Sequence, residues 1–350
     1  MTTTGRPRRD RLLELDVLRG LAALAVVLYH YTGRFQQLYG YPAPPPFVVT
    51  QGYFGVEFFF CISGFVIFMT LERTRRPLDF VVSRFSRLWP AYIAALVLTF
   101  SVVHLVGLPG RETTLGQALF NLTMVQELFR VPHVDAVYWS LQVELIFYCW
   151  MFFAYRTGLL AHVRVLMCAA LLPPILNAIV IWHFGRPVPY LAEKLLIVDY
   201  APYFVIGLAA YNLYRRRAGG HLDVLLMVAA AATAALTSAV DGIVAVCAAM
   251  VFCAAARGHL SWLARGPLVF FGTISYTLYL VHQNIGYIVI RALIARGVPA
   301  LAAIGAALAC VIALAAALTW LIEKPALRYV RDVYARRSAS ASQAIPHTPV

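Results

Sequence analysis

The sequence predicts an all-α, polytopic membrane protein of about ten transmembrane helices with both termini cytoplasmic. Three observations predict it. Of 350 residues, 61% are hydrophobic and 13% charged, with a mean hydropathy of +0.74; soluble domains hold about 45–50% apolar and about 25% charged residues. The apolar residues form continuous runs near the length that spans a bilayer as a helix, not the alternation a membrane β-barrel requires. The cations gather in short segments between those runs, which is how a membrane protein sets its orientation.

The runs are 12–34, 52–71, 85–107, 136–155, 164–184, 196–214, 222–239, 241–256, 267–290 and 298–322. The first follows a polar, basic start and lacks a small-residue cleavage site, so it reads as a retained span and not a signal peptide. The second and third are joined through Arg73, Arg75 and Arg76. The third and fourth are joined by the longest loop, about 108–135, which has room for a short helix. Arg156 and Arg164 separate the fourth from the fifth, and Arg186 and Lys194 the fifth from the sixth. The seventh and eighth are short and share a turn at Asp241-Gly242. Arg257 and Arg265 precede the ninth, and Arg291 and Arg296 the tenth.

With the N-terminus inside, ten spans place 21 cations on the cytoplasmic side and 7 outside, with Arg19 inside the first span. Reading the short pair as one span would put Lys324 to Arg337 outside, against the positive-inside rule. The expected organisation is a cytoplasmic basic N-terminus (1–11), one membrane domain (12–325) and a cytoplasmic tail (326–350) that is small, polar and disordered from Ser338 on.

The net charge of +13 and pI near 9.7 would suit nucleic acid, but the cations are accounted for by orientation, and no nucleic-acid partner is expected. Cys61, Cys149, Cys168, Cys247, Cys253 and Cys310 all lie in apolar runs, without C-x-x-C or His spacing. They read as small core hydrophobes, and no metal site is expected. There is no internal repeat and no Gly-rich phosphate loop.

Ionisable residues inside spans are unfavourable and mark function by default. The first span carries Asp16, Arg19 and His30, the second Glu57, the fourth Glu144 and the ninth His282. The third opens with Arg84 and Arg87, and the tenth ends with Glu323. At about 1.5 Å per residue, these sort into an inner layer (Arg19, Arg84, Arg87) and an outer layer (His30, Glu57, Glu144, His282). A His beside a carboxylate is the usual general base. Buried guanidiniums suit phosphate, and Arg84 and Arg87, three residues apart, project from one face of a helix start. The set suits a phosphorylated donor entering from the cytoplasm. Asp16 is expected to pair locally with Arg19, and Trp139, Tyr276, Tyr279 and Tyr287 to serve as interfacial belt or packing.

Six stretches carry a family resemblance. Leu15-Asp16-Val17-Leu18-Arg19-Gly20 running to His30 resembles the opening signature of acyltransferase family 3, with its Arg-x10-His spacing. Gly52 to Phe65, Arg84-Phe85-Ser86-Arg87-Leu88-Trp89-Pro90, Trp139-Ser140-Leu141-Gln142-Val143-Glu144 with Phe147-Tyr148, Ser275 to His282, and Glu323-Lys324-Pro325 follow in family order. Glu57 stands where the family often has Asp, and Cys61 where an aliphatic residue is common. The chain ends soon after the tenth run, so no fused extracellular hydrolase-like domain is expected.

The resemblance implies an integral O-acyltransferase of the plasma (bacterial inner) membrane. It would move an acyl group, acetyl above all, from cytoplasmic acyl-CoA to a hydroxyl of a cell-surface glycan, lipid or antibiotic. Arg84 and Arg87 would hold the donor phosphates, with Arg19 aiding placement. His30 would be the base, with Glu144 orienting it. Ser275, Tyr276 or Arg19 would donate to the oxyanion, and Glu57 and His282 would support the site. Direct transfer and a covalent acyl-His30 are both open, an oligomer is compatible, and no metal is implied. The rival class is a transporter or flippase of an anionic glycolipid using the same residues as a proton relay.

Overall fold

The computed structural model describes residues 12–215 and 220–343, with side chains to Arg337. The basic start (1–11), Arg216, Arg217 and residues 344–350 lie outside the described residues.

Helix α1 (Leu13–Tyr29) runs on through a π-helical turn (His30–Arg34) into α2 (Phe35–Leu38). A 3-10 turn (Thr50–Phe54) leads into α3 (Gly55–Arg73), followed by α4 (Pro77–Val106), α5 (Leu115–Asn121), α6 (Trp139–Arg156), α7 (Val163–Phe184) and α8 (Tyr190–Leu195). Then come α9 (Ala201–Arg215), α10 (His221–Ala235), α11 (Ala239–Ala256), α12 (Gly266–Ile294) and α13 (Ala300–Leu318). A second π-helical turn (Thr319–Glu323) joins α13 to α14 (Lys324–Gln343). No strand occurs among the described residues, and the chain is an all-α membrane protein.

Each of the ten apolar runs coincides with a helix. Six helical stretches among the described residues are long and apolar enough to cross a membrane: Thr50–Arg73, Pro77–Val106, Ala136–Arg156, Leu159–Phe184, Ala239–Ala256 and Ala300–Arg337. Helix α1 has 17 residues, and α9 and α10 have 15 each. Helix α12 has ample length but buries Ser275, Thr277, His282, Gln283 and Asn284, the composition of a helix that lines a site.

Several boundaries differ from the apolar runs because helicity outlasts apolarity. Helix α4 begins at Pro77, where proline suits the first helical position and the Asp79 carboxylate accepts from Arg76 N at 3.1 Å. The break between α10 and α11 falls before Asp241-Gly242, because Ser238 caps α11 by accepting from Asp241 N at 3.1 Å. The loop after α4 does contain a short helix, α5, started by a Thr114–Gln117 capping box.

Helix α1 packs between α3 and α12; α12 also packs on α13 and α4, and α3 on α9. The crossings of α1 with α12 and of α3 with α9 are among those that require glycine. A Cβ at Gly20 would lie 2.5 Å from Gly272 N, and one at Gly207 2.0 Å from Cys61 O. These helices meet backbone to backbone, as membrane helices do through small residues. Of the cysteines only Cys61 is buried; Cys149, Cys168, Cys247 and Cys310 face outward. The expected core placement holds for one of them, since the lipid-facing surface is as apolar as the core and accepts the same residues.

Candidate functional site

Among the described residues, two of the cavities bring together ionisable side chains of the bundle. The first, of about 420 Å³, is lined by α1, α3, α4, α6, α12 and the start of α14. It gathers Arg19, Arg84, Arg87 and Glu144 and is the arginine cavity. The second, of about 630 Å³, is lined by His30, Arg34, Glu57, Arg111, Asp199 and Asp241 with several aromatic rings; it is the histidine cavity.

In the arginine cavity, Arg19 is held by three contacts. Its Nε donates to Ser275 Oγ at 2.9 Å, and its Nη2 to Asp16 Oδ1 at 3.0 Å and Gly272 O at 3.3 Å. The Asp16 pairing is the one expected from the three-residue spacing. Arg87 Nη1 lies 3.7 Å from Glu323 Oε1, across to the π-helical turn after α13. Among the described residues Arg84 has no carboxylate partner. Its Nη2 donates to the neighbouring Ser83 Oγ at 3.1 Å, its Nε is buried and unpaired, and its guanidinium lies about 6 Å over the rings of Phe80 and Tyr148. A guanidinium short of partners in a partly buried cavity, beside a second one, favours an anionic ligand.

Glu144 lies in this cavity and not against His30. Its Oε1 accepts from Ser63 Oγ at 2.6 Å and Tyr148 Oη at 2.5 Å. Of the three oxyanion candidates, two have committed their protons: Ser275 Oγ donates to Gly272 O at 2.9 Å and Tyr276 Oη to Leu88 O at 2.9 Å. Only Arg19 keeps N–H groups beyond its three contacts. It lies three turns of α1 from His30, in the other cavity.

In the histidine cavity, His30 opens the π-helical turn that ends α1; such turns recur at functional sites. His30 Nδ1 lies 2.9 Å from Val26 O and 3.2 Å from Nε2 of the fully buried His282. His282 Nδ1 lies 2.8 Å from Tyr279 O. A carbonyl can only accept, so with both rings neutral each Nδ1 carries its proton. His282 Nε2 is then a lone pair that shares the His30 Nδ1 proton with the nearer Val26 O, and His30 Nε2 is the free lone pair of the pair. Tyr31 Oη donates to His282 O at 2.8 Å and fixes α1 against α12 at this level.

The loop between α5 and α6 docks beside this pair. Asp135 Oδ2 accepts from Asn284 N at 3.1 Å, and Asn284 Nδ2 donates to Val134 O at 2.9 Å. This seats the start of α6 so that Ser140 Oγ lies 2.7 Å from Tyr279 Oη. Further back in the loop, burial lowers His133 to a pKa of about 4, and its neutral Nδ1 accepts from Gln126 Nε2 at 2.9 Å. Glu57 is buried on the α3 wall of the cavity, with Oε2 unpaired.

The structure thus joins Arg19, Arg84, Arg87, Glu144, Ser275 and Tyr276 around one cavity, and His30 and Glu57 around the other, with His282 behind His30. Further cations, not singled out by the sequence pattern, face the same cavities. Lys324 and Arg331 line the arginine cavity; they share one helical face, seven residues apart. Arg34 and Arg111 line the histidine cavity. Tyr279 and Trp139, read as belt or packing, line cavities, whereas Tyr287 is core. No group of three or more His, Cys, Asp or Glu suited to a metal ion occurs among the described residues.

A family model described as an acyltransferase domain matches residues 12–321, the helical bundle almost entire. Over 109 residues the chain is 36% identical to protein 2 in the picA locus of Rhizobium radiobacter, which covers 29% of this chain and 51% of that protein. The chain spans about half the length of that curated relative. No solved structure matches. With the family model spanning every helix that lines the two cavities except α14, the chain belongs to acyltransferase family 3.

Proposed function

We propose that this protein moves an acyl group, acetyl by preference, from acyl-CoA to a hydroxyl of a cell-surface glycan or related acceptor. Residues 12–325 form the catalytic membrane domain. The arginine cavity faces the cytoplasm with both termini, and the histidine cavity faces the outside of the bacterial inner membrane. The positive-inside distribution of cations supports that orientation.

The donor lies in the arginine cavity. Arg84 and Arg87 bind its phosphates, with Lys324 and Arg331 beside them, and Arg19 holds the arm further in. Glu144, held by Ser63 and Tyr148, offers a carboxylate to the amide N–H groups of the pantetheine arm. The acceptor lies in the histidine cavity, where Tyr29, Trp139, Tyr200 and Tyr203 supply rings and Glu57, Asp199 and Asp241 supply acceptors. Flat apolar faces mixed with hydrogen-bonding carboxylates suit a sugar, which presents C–H faces and hydroxyl edges.

His30 Nε2 takes the acceptor hydroxyl's proton as the oxygen adds to the thioester carbonyl. Collapse of the adduct breaks the C–S bond, and the departing thiolate receives the proton back from His30. His282 stabilises the imidazolium by accepting from His30 Nδ1. The observation that carries this reading is the hydrogen-bond chain from Tyr279 O through His282 to His30, which leaves one basic nitrogen free. The test is release of CoA from acetyl-CoA by the purified protein with membrane glycan extract, beside a His30→Ala variant of equal expression. Acceptor-dependent release that His30→Ala abolishes supports the reading; equal release by both overturns the assignment of the base.

A further inference from the structure

Among the residues lining the two cavities, Tyr279 belongs to both. It sits midway along α12, one turn from His282. Its hydroxyl donates to Val137 O at 2.9 Å and lies 2.7 Å from Ser140 Oγ. The ring is therefore clamped to the start of α6. Phe59 meets it edge-on, 5.4 Å between centroids, from α3. Val137 faces the histidine cavity and Ser140 the arginine cavity, so this hydrogen-bonded set forms the wall between them. Three helices meet at one aromatic ring there, and the ring lies between the cavity proposed for the donor and the one that holds His30.

We infer that Tyr279 is a positioning residue that partitions the two cavities, holding the donor thioester away from water in the histidine cavity until an acceptor occupies it. The inference rests on the donor and acceptor placements proposed above and adds the residue that couples them. A donor meeting water would be lost by hydrolysis: water adds to the thioester carbonyl, the C–S bond breaks, and acetic acid and the CoA thiol leave. A tyrosine clamped by two hydroxyl contacts fits this task better than a larger fixed barrier, because breaking those contacts lets the ring turn aside. Its backbone carbonyl is also the acceptor for His282 Nδ1, so displacement of this segment is felt at the histidine pair.

Two measurements on the full chain test it. In the first, acetyl-CoA hydrolysis is followed without acceptor, as thiol release. Tyr279→Ala raises it about fivefold or more at saturating acetyl-CoA, and Tyr279→Phe, which keeps the ring and loses the clamp, raises it less. Hydrolysis at the wild-type rate in both variants overturns the partition. In the second, Ser63→Cys is placed in the arginine cavity and treated with a membrane-impermeant maleimide in right-side-out and inside-out vesicles; the same proteins with Ser63 intact give the background. With Tyr279 present, labelling occurs from one side only, and with Tyr279→Ala from both. One-sided labelling in Tyr279→Ala overturns the inference, and Tyr279→Phe carries the same comparison where the alanine variant does not accumulate. A wild-type protein that neither binds nor cleaves acetyl-CoA refutes the proposed donor, while the labelling pattern still decides the partition.

Discussion

His282 Nε2 lies 3.2 Å from His30 Nδ1, across the α1–α12 interface. The carbonyl of Tyr279 behind His282 gives this contact a direction, because it holds a proton on His282 Nδ1. A positioning role for His282 predicts a graded response. His30→Ala lowers kcat by roughly 10²-fold or more, the range for loss of a general base. His282→Gln, whose carbonyl still accepts from His30 Nδ1, retains more activity than His282→Leu, which offers no acceptor. Neither His282 variant changes the KM for acetyl-CoA, and steady-state kinetics of the four proteins checks the order. Equal loss in the Gln and Leu variants would remove the tautomer argument.

The same pair shows what was legible in the sequence. The ten apolar runs, the shared helical face of Arg84 and Arg87, the Asp16–Arg19 pair and the histidine in span one are legible because each depends on residue type at short spacing; the expected helix start at Arg84 is not borne out, since α4 begins at Pro77, two turns earlier. The partnership of His30 with His282 depends on how α1 is rotated against α12, and that follows from the Gly20–Gly272 crossing and the Tyr31 hydroxyl. Glu144 was misplaced for the same reason. Depth along a helix put it level with His30, but its azimuth on α6 turns it to Ser63 and Tyr148, below the Tyr279 wall. Arg331 was passed over because α14 is polar and reads as tail, although its spacing from Lys324 put both on one face.

Arg84 and Arg87 differ in a way that separates binding from folding. Among the described residues Arg84 has no carboxylate partner, whereas Arg87 faces the buried Glu323. Arg84→Ala is expected to weaken acyl-CoA binding by about 1.5–3 kcal/mol, the range for a hydrogen bond to a charged group, with little effect on thermal stability. Arg87→Ala weakens binding and also lowers Tm, because it leaves Glu323 buried and unpaired. Calorimetric CoA binding and detergent-solubilised melting curves measure the two effects separately.

The α3–α9 crossing predicts a sharp contrast between glycines. A Cβ at Gly207 would lie 2.0 Å from the backbone oxygen of Cys61, while one at Gly305 on α13 meets nothing within 4 Å. Gly207→Ala must push the helices apart and is expected to destabilise by about 1–3 kcal/mol, as overpacking does. Gly305→Ala is neutral or stabilising by up to about 1 kcal/mol, the difference in helix propensity. Melting temperature and yield after solubilisation distinguish them. A Gly207→Ala protein as stable as wild type would mean that the two helices do not touch there.

The loop that seats α6 has a pH dependence of defined sign. His133 is neutral where it accepts from Gln126, and burial lowers its pKa to about 4 from the usual value near 6.5. Its folded pKa lies below its unfolded one, so the open loop binds the proton more readily. The contribution of His133 to loop stability is complete above about pH 6.5 and is lost as pH falls toward 4. Protease nicking between Gln126 and Asp135 is therefore expected to rise between pH 6.5 and 4.5 in the wild type, once corrected for the enzyme's own pH profile. His133→Asn, which keeps a hydrogen-bonding side chain but does not titrate, flattens that rise. Trp139 and Ser140 follow this loop directly, so acceptor-dependent activity should fall over the same interval and fall less in His133→Asn.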